Sequence, residues 1–174
     1  MGADTTRQAV TDAGPLIHLN EIGSLSLLDV FDEIHVTDTV WAEATMPNRV
    51  ATTRLAALAH LRKHRVTRND MARFIVGANL SLLHLGEQTS LYLIHRLAFH
   101  LILTDDLAAR EAAKSMGLRP VGSLGVIARA CANGLLDVES ATSRMRDLQK
   151  HSTLFVTDQI VEFAIETLHR QLKR

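Results

Sequence analysis

His100-Leu-Ile-Leu-Thr-Asp105 is a nearly continuous apolar run that ends in an aspartate, the pattern of a strand buried on both faces of a parallel sheet. Gln8-Ala-Val-Thr-Asp12 reads in the same way near the start of the chain, and Ala13-Gly14-Pro15 ends it with a turn. Pro15 suits the first turn of a helix, and Leu16, Ile17, Leu19 and Ile22 follow at helical spacing. A short helix over residues 24–30 leads to a second strand, Glu33-Ile-His-Val36. Thr37-Asp38-Thr39 then offers N-cap chemistry for a helix carrying Val40, Trp41 and Ala44.

The middle of the chain predicts a long helix over residues 51–63, followed by a basic stretch with no regular pattern. Gly86 opens a further helix with Leu91, Ile94 and Ala98 on one face. Beyond Asp105, residues 107–116 are helical and Gly117 caps them. Arg119-Pro-Val-Gly122 is a brief strand, Ser123 caps a helix that stops at Asn133-Gly134, and two helices from about Val138 and Asp158 finish the chain. Strand and helix alternate throughout, which predicts a three-layer α/β domain around a central parallel sheet.

With 174 residues the chain has the length of one domain, residues 1–174, and enough material for its own core. Hydrophobic residues are 47% and charged residues 22%, an ordinary globular balance that argues against disorder. The single cysteine, Cys131, excludes a disulfide framework within the chain and reads as a small packed residue of a helix. No apolar run approaches the ~20 residues of a membrane span, and Met1-Gly-Ala-Asp-Thr5 lacks an apolar signal core. Gly2 resembles a myristoylation site only superficially. The expectation is a cytoplasmic protein away from membranes.

A net charge of zero hides an asymmetry. Residues 1–45 hold eight acids against one base, whereas residues 49–73 hold seven bases against Asp70 alone. An acidic block beside a basic one suits a metal site next to a phosphate-contacting surface, with Arg62, Arg65 and Arg68 as the candidate contacts. A solvated helix face followed by a basic loop explains the same pattern more plainly.

Parallel sheets gather functional groups at the carboxyl ends of their strands. Two predicted strands end there in acids, one at Asp12 and one at Asp105 with Asp106 behind it. Helix capping is the competing explanation, and it fits Asp106 best. Glu43 follows Val40 by three residues and adjoins Ala44, which puts it on the inward face of its helix. Glu87 precedes Leu91 and Ile94 at helical spacing, and also suits a favourable charge at a helix N-terminus. Carboxylates gathered without a nearby lysine repel one another, and a hard divalent cation, Mg²⁺ or Mn²⁺, resolves the repulsion. Such an ion activates water for attack on a phosphodiester.

Val10-Thr-Asp12-Ala-Gly-Pro-Leu-Ile-His-Leu19, Val40-Trp-Ala-Glu43, Gly86-Glu87 and Leu101-Ile-Leu-Thr-Asp105-Asp-Leu-Ala-Ala-Arg110 occur in the order found in PIN-domain proteins. The set resembles most the prokaryotic branch that includes VapC-like toxins. Gly117-Leu-Arg-Pro-Val-Gly-Ser-Leu-Gly-Val126 and Asn133-Gly-Leu-Leu136 are also typical of that branch. The resemblance spans about residues 8–165. It implies an α/β/α fold and a metal-dependent endoribonuclease with Asp12, Glu43, Glu87 and Asp105 as its acidic set. Asp106 competes with Asp105 for the fourth place, and Arg110 joins the candidate substrate contacts. A small antitoxin covering the active site and a homodimer are further implications. One departure from the family is Gly14, where Ser or Thr is frequent, and Thr104 is the candidate to take part of that hydroxyl's role.

Other chemistries find little support. His60 and His64 share a face if residues 51–63 are helical, but no third ligand accompanies them. HExxH, P-loop, GxSxG and paired CxxC motifs are missing, and Gly122-Ser-Leu-Gly125 is too short for a dinucleotide loop. With aromatics at 4%, base-stacking platforms of the single-strand-binding type, with successive bases on several rings, are not expected, and Trp41 reads as a core residue. A phosphoacceptor receiver domain also clusters aspartates, but no lysine sits suitably between Arg119 and Ser123. The alternative of a different class is a non-catalytic RNA- or protein-binding module that keeps the fold, with Gly14 as its mark.

Overall fold

Alternation of side chains along short apolar strands builds the sheet. The computed structural model describes residues 7–172, so Gly2 and the rest of the Met1–Thr5 stretch lie outside the described residues. Strands β1 (Gln8–Thr11), β2 (Glu33–Thr37), β3 (Leu61–His64), β4 (Leu101–Leu103) and β5 (Arg119–Val121) form one parallel sheet in the order β3-β2-β1-β4-β5. Val10 lies opposite His35 on one side and Ile102 on the other. Ala9, Ile34, Val36, Leu101 and Leu103 pack into one helical layer, while Val10 and Ile102 turn into the opposite one. Period-two alternation across a sheet buried on both faces thus produces the three layers.

The first layer contains α1 (Ala13–Glu21), a 3₁₀ helix (Leu25–Val30), α2 (Asp38–Ala44) and the short α3 (Thr52–Ala56). Three later helices, α7 (Ser123–Ala132), α8 (Val138–His151) and α9 (Asp158–Leu172), complete that layer. On the other face lie α4 (Arg68–Gly77), α5 (Leu85–Leu97) and α6 (Leu107–Ser115). Thr37 caps α2 as its sequence predicts, accepting from the Val40 amide at 3.1 Å. Cys131 is buried on α7. No helix among the described residues is long and apolar enough to cross a membrane.

Three expectations fail locally. Residues 51–63 do not form one helix: α3 ends at Ala56, a turn follows, and Leu61–His64 pairs with Ile34–Thr37 as β3. Tertiary pairing with β2 overrides a local helical pattern there. His60 therefore sits in the turn and His64 on a strand, so they share no helix face. The unpatterned basic stretch contains α4, whose start carries a reciprocal capping box between Thr67 and Asp70. Ser123 is the first residue of α7, and the cap position belongs to Gly122.

Because β1 continues to β2 and β3 on one side while β4 and β5 extend the other, the direction of winding reverses between β1 and β4. Open parallel sheets bind ligands outside the carboxyl ends of the strands at such a point. Asp12 and Thr104 follow those two strands directly.

Leu103 is wholly buried between the sheet and the first helical layer. Leu103→Ala is expected to cost about 2–5 kcal/mol through reduced burial and a residual cavity. Val76→Ala, at a position 76% exposed, is expected to stay within about 0.5 kcal/mol. Urea unfolding of both variants checks this, and a similar cost for the two would contradict the layer assignment.

Candidate active site

Asp12 is fixed by backbone geometry before its side chain is considered. Its amide donates to the Leu103 carbonyl at 2.9 Å, carrying the β1–β4 ladder one residue past β1. That register brings Thr104 alongside, and the Thr104 hydroxyl donates to Asp12 Oδ2 at 3.2 Å. Asp12 Oδ1 accepts from the Ala13 amide at 2.7 Å, capping α1. The carboxyl is only 7% exposed. Burial pushes its pKa up to about 7, and the charges of Glu87 and Glu43 add to the rise. The Ala13 amide and Thr104 hydroxyl oppose it without cancelling it.

Glu87 stands in the first turn of α5, and its Oε2 accepts from the His84 amide at 2.9 Å. It is both a helix cap and a member of the acidic group. Burial raises its pKa, as do the charges of Asp106 and Glu43. Glu43, on α2, is less enclosed than an inward helix face implies. Its side chain is 42% exposed and approaches Arg49 Nη1 at 3.5 Å. α5 passes close to this group at Gly86, where an added Cβ would lie 2.8 Å from Glu43 Oε2 and 3.7 Å from Asp12 Oδ1, a contact that the half-exposed Glu43 side chain relieves by turning aside.

The adjacent aspartates take different work. Asp105 Oδ1 accepts from the Ser123 amide at 2.7 Å, and Oδ2 accepts from the Ser123 hydroxyl at 2.6 Å. His18 Nδ1 also meets Oδ2, at 2.8 Å. Asp105 thereby ties β4 to α1 and α7. Asp106 caps α6 through Oδ1, which accepts from the Ala109 amide at 2.8 Å, and its charge weighs on Glu87. A Cβ on Gly122 would sit 2.8 Å from Asp105 Oδ1 and 3.2 Å from Arg110 Nη1, so this second glycine also permits a close approach. Arg110 Nη1 donates to the Thr104 carbonyl at 3.2 Å.

These groups line a cavity of about 910 Å³ in which Asp12, Glu43, Glu87, Asp105, Asp106 and Arg110 all take part. Arg62, Arg65 and Arg68 are not part of its lining. Arg62 lies on β3 with its Nε 3.5 Å from Glu33, and Arg65 and Arg68 are exposed at and after the end of that strand. Trp41 packs against the core, with Lys63 Nζ 5.0 Å from its ring centroid.

Among the described residues, no three acidic, cysteine or histidine side chains stand close enough to hold a metal ion unaided. The donor chemistry nonetheless suits a hydrated hard cation. Mg²⁺ keeps several waters and takes only one or two carboxylates directly, and Asp12 and Glu87 are the two carboxylates that burial and mutual repulsion penalise most when ionised.

A family model described as a PIN domain matches residues 8–170. The chain belongs to the PIN-domain family. Curated proteins and solved structures give no match. PIN domains are a nuclease fold, and this one has the three layers and the parallel sheet that the resemblance implies.

Sequence reasoning missed two supports of this PIN site. His18 and Ser123 both bind Asp105, and neither carries a local signal, since their partner is 87 residues away in one case and 18 in the other. They also bear on Gly14. A Cβ there would meet Asp105 and His18 at an ordinary 3.5 Å, so the glycine is not sterically required. The hydroxyls of Ser123 and Thr104 donate to Asp105 and Asp12.

Between the usual carboxylate value of 3.8 and about 7, Asp12 is protonated in the fold and ionised in the unfolded chain. The native state then binds more protons, so metal-free protein is expected to lose stability, by up to a few kcal/mol, as pH rises through that window. Asp12→Asn keeps an acceptor for the Ala13 amide and should flatten the slope, and added Mn²⁺ should raise wild-type stability near pH 8. Thermal melts at several pH values test this. An unchanged slope in Asp12→Asn would refute the assignment of the burial cost to Asp12.

Proposed function

We propose that this PIN domain is a metal-dependent endoribonuclease that hydrolyses RNA phosphodiester bonds with Mg²⁺ or Mn²⁺. The observation that carries the reading is Asp12, a buried carboxyl at the reversal point of the sheet whose ionised form is disfavoured by burial and by Glu87 and Glu43. A divalent cation reverses that balance. Asp12 and Glu87 would hold the ion, with Asp106 and Glu43 bonding to its waters. Asp105 keeps a positioning role. The ion, when bound, supplies a water of lowered pKa and offsets charge on the phosphoryl oxygens.

The chain's own groups do the remaining work. Thr104 holds Asp12 Oδ2, and the Ala13 amide holds Oδ1, so the carboxylate enters the reaction already oriented. Glu87 is anchored through Oε2 by the His84 amide. Arg110 is the cation of the cavity lining, and it would meet a phosphate oxygen beside the scissile bond. The motifs that resemble the VapC-like branch support a toxin role, with a small antitoxin covering the cavity and a homodimer, while the length of residues 1–174 supports one domain and the lone cysteine a cytoplasmic location.

Purified protein is expected to cleave single-stranded RNA in Mg²⁺ or Mn²⁺ and to stop in EDTA. Glu87→Gln should lower kcat by orders of magnitude while retaining the melting temperature, because glutamine still accepts from the His84 amide. Wild-type protein inert in both metals over a broad RNA panel would sink the reading.

Salt dependence separates the two sets of arginines. Reversing Arg62 and Arg65 to glutamate should flatten the plot of log affinity against log salt, by roughly 0.7 for every single-strand phosphate that the arginines neutralise. Arg110→Ala should instead lower kcat. An unchanged salt slope would assign the basic segment to protein contacts.

A further inference from the structure

Phe155 is 93% exposed, and it lines the same cavity as the carboxylates. Exposure of one aromatic ring is ordinary on a loose loop. This segment is not loose. On one side of Phe155, the Thr153 amide and hydroxyl donate to the Glu21 carboxylate at 2.7 and 2.9 Å. On the other, Gln149 Nε2 donates to the Val156 carbonyl at 3.3 Å. A ring left almost wholly in solvent is therefore displayed from backbone pinned before and after it. Leu107, 72% exposed, and Ile160, 52% exposed, add apolar surface to the same cavity.

The cavity thus has two chemistries: carboxylates and Arg110 that suit a hydrated cation and a phosphate, and an apolar part that suits neither. A nucleotide needs both, since its phosphate and its base require different surroundings. The volume of about 910 Å³ falls within the range of roughly 300–1,000 Å³ typical of small-ligand sites. A base within a duplex is stacked on its neighbours and cannot offer its face to a protein ring, whereas an unpaired base can.

We propose that Phe155 is a stacking platform for a nucleobase next to the scissile phosphate, so that the substrate enters the cavity as an unpaired strand. The proposal rests on the ribonuclease reading above and adds a specificity-determining residue to it. Stacking on a phenyl face tolerates every base, so Phe155 selects strandedness rather than sequence.

The test uses the full chain carrying Glu87→Gln, which separates binding from cleavage, with a fluorescent unstructured RNA oligonucleotide and Mg²⁺. Anisotropy should show Phe155→Ala binding at least about fivefold more weakly, and Phe155→Trp binding as well as the parent or better. Replacing each nucleotide in turn by an abasic one should reveal a single position where the parent loses the same factor and Phe155→Ala loses nothing further. A duplex of the same sequence should bind equally to both. Unchanged affinity in Phe155→Ala, or identical abasic profiles, overturns the proposal and leaves the ribonuclease reading standing. Unchanged RNA affinity together with loss of a wild-type dimer in Phe155→Ala likewise overturns it, assigning the ring to a protein interface. If neither wild-type protein nor Glu87→Gln binds any RNA, the ribonuclease reading falls and this proposal falls with it.

Discussion

The hydrogen bond from the Asp12 amide to the Leu103 carbonyl, 2.9 Å long, extends the ladder between β1 and β4 beyond the strand proper. Much of the site depends on it. It sets the register that brings Thr104 against Asp12 and aligns the carboxyl ends of two strands from distant parts of the chain. It also spans the place where the winding of the sheet reverses. Without that register, α1 and α6 would start at unrelated heights, and the acids at their N-termini would not face one cavity.

The same construction explains why the site is electrostatically expensive. Asp12 and Asp106 serve as caps of α1 and α6, and Glu87 accepts an amide at the start of α5. Helix N-termini favour negative charge, which lets Asp12 and Glu87 sit buried beside the more exposed Asp106. The compensation is incomplete, since Asp12 and Glu87 both remain harder to ionise than free carboxyls. Capping and metal chemistry are therefore not rival explanations for these residues. One side-chain oxygen of each acid serves the helix, and all three residues also line the cavity.

Much of this was legible in the sequence because it depends on local pattern. Apolar runs ending in aspartate located β1 and β4, and helical spacing located α1, α5, α6 and α7. Glu87 and Asp12 were legible as acids at strand and helix ends. What could not be read depends on distant partners. β3 is a strand because β2 lies beside it, and Leu61–His64 has no strand signal of its own. His18 and Ser123 acquire their role only when α1 and α7 converge on Asp105. The start of α4 is a different case, since Thr67 and Asp70 spell a capping box that the concentration of basic residues obscured.

The two outer strands have a consequence for the protein's life in a crowded solution. An open sheet leaves a row of unpaired backbone groups along each border, and such a border templates the addition of foreign strands. Here β3 puts Arg62 and Lys63 on one border, and β5 carries Pro120, which has no amide to donate, on the other. Both strands are also short, at four and three residues. Part of the basic block of this chain therefore has a use that involves no nucleic acid: it guards the sheet against fibril-like growth.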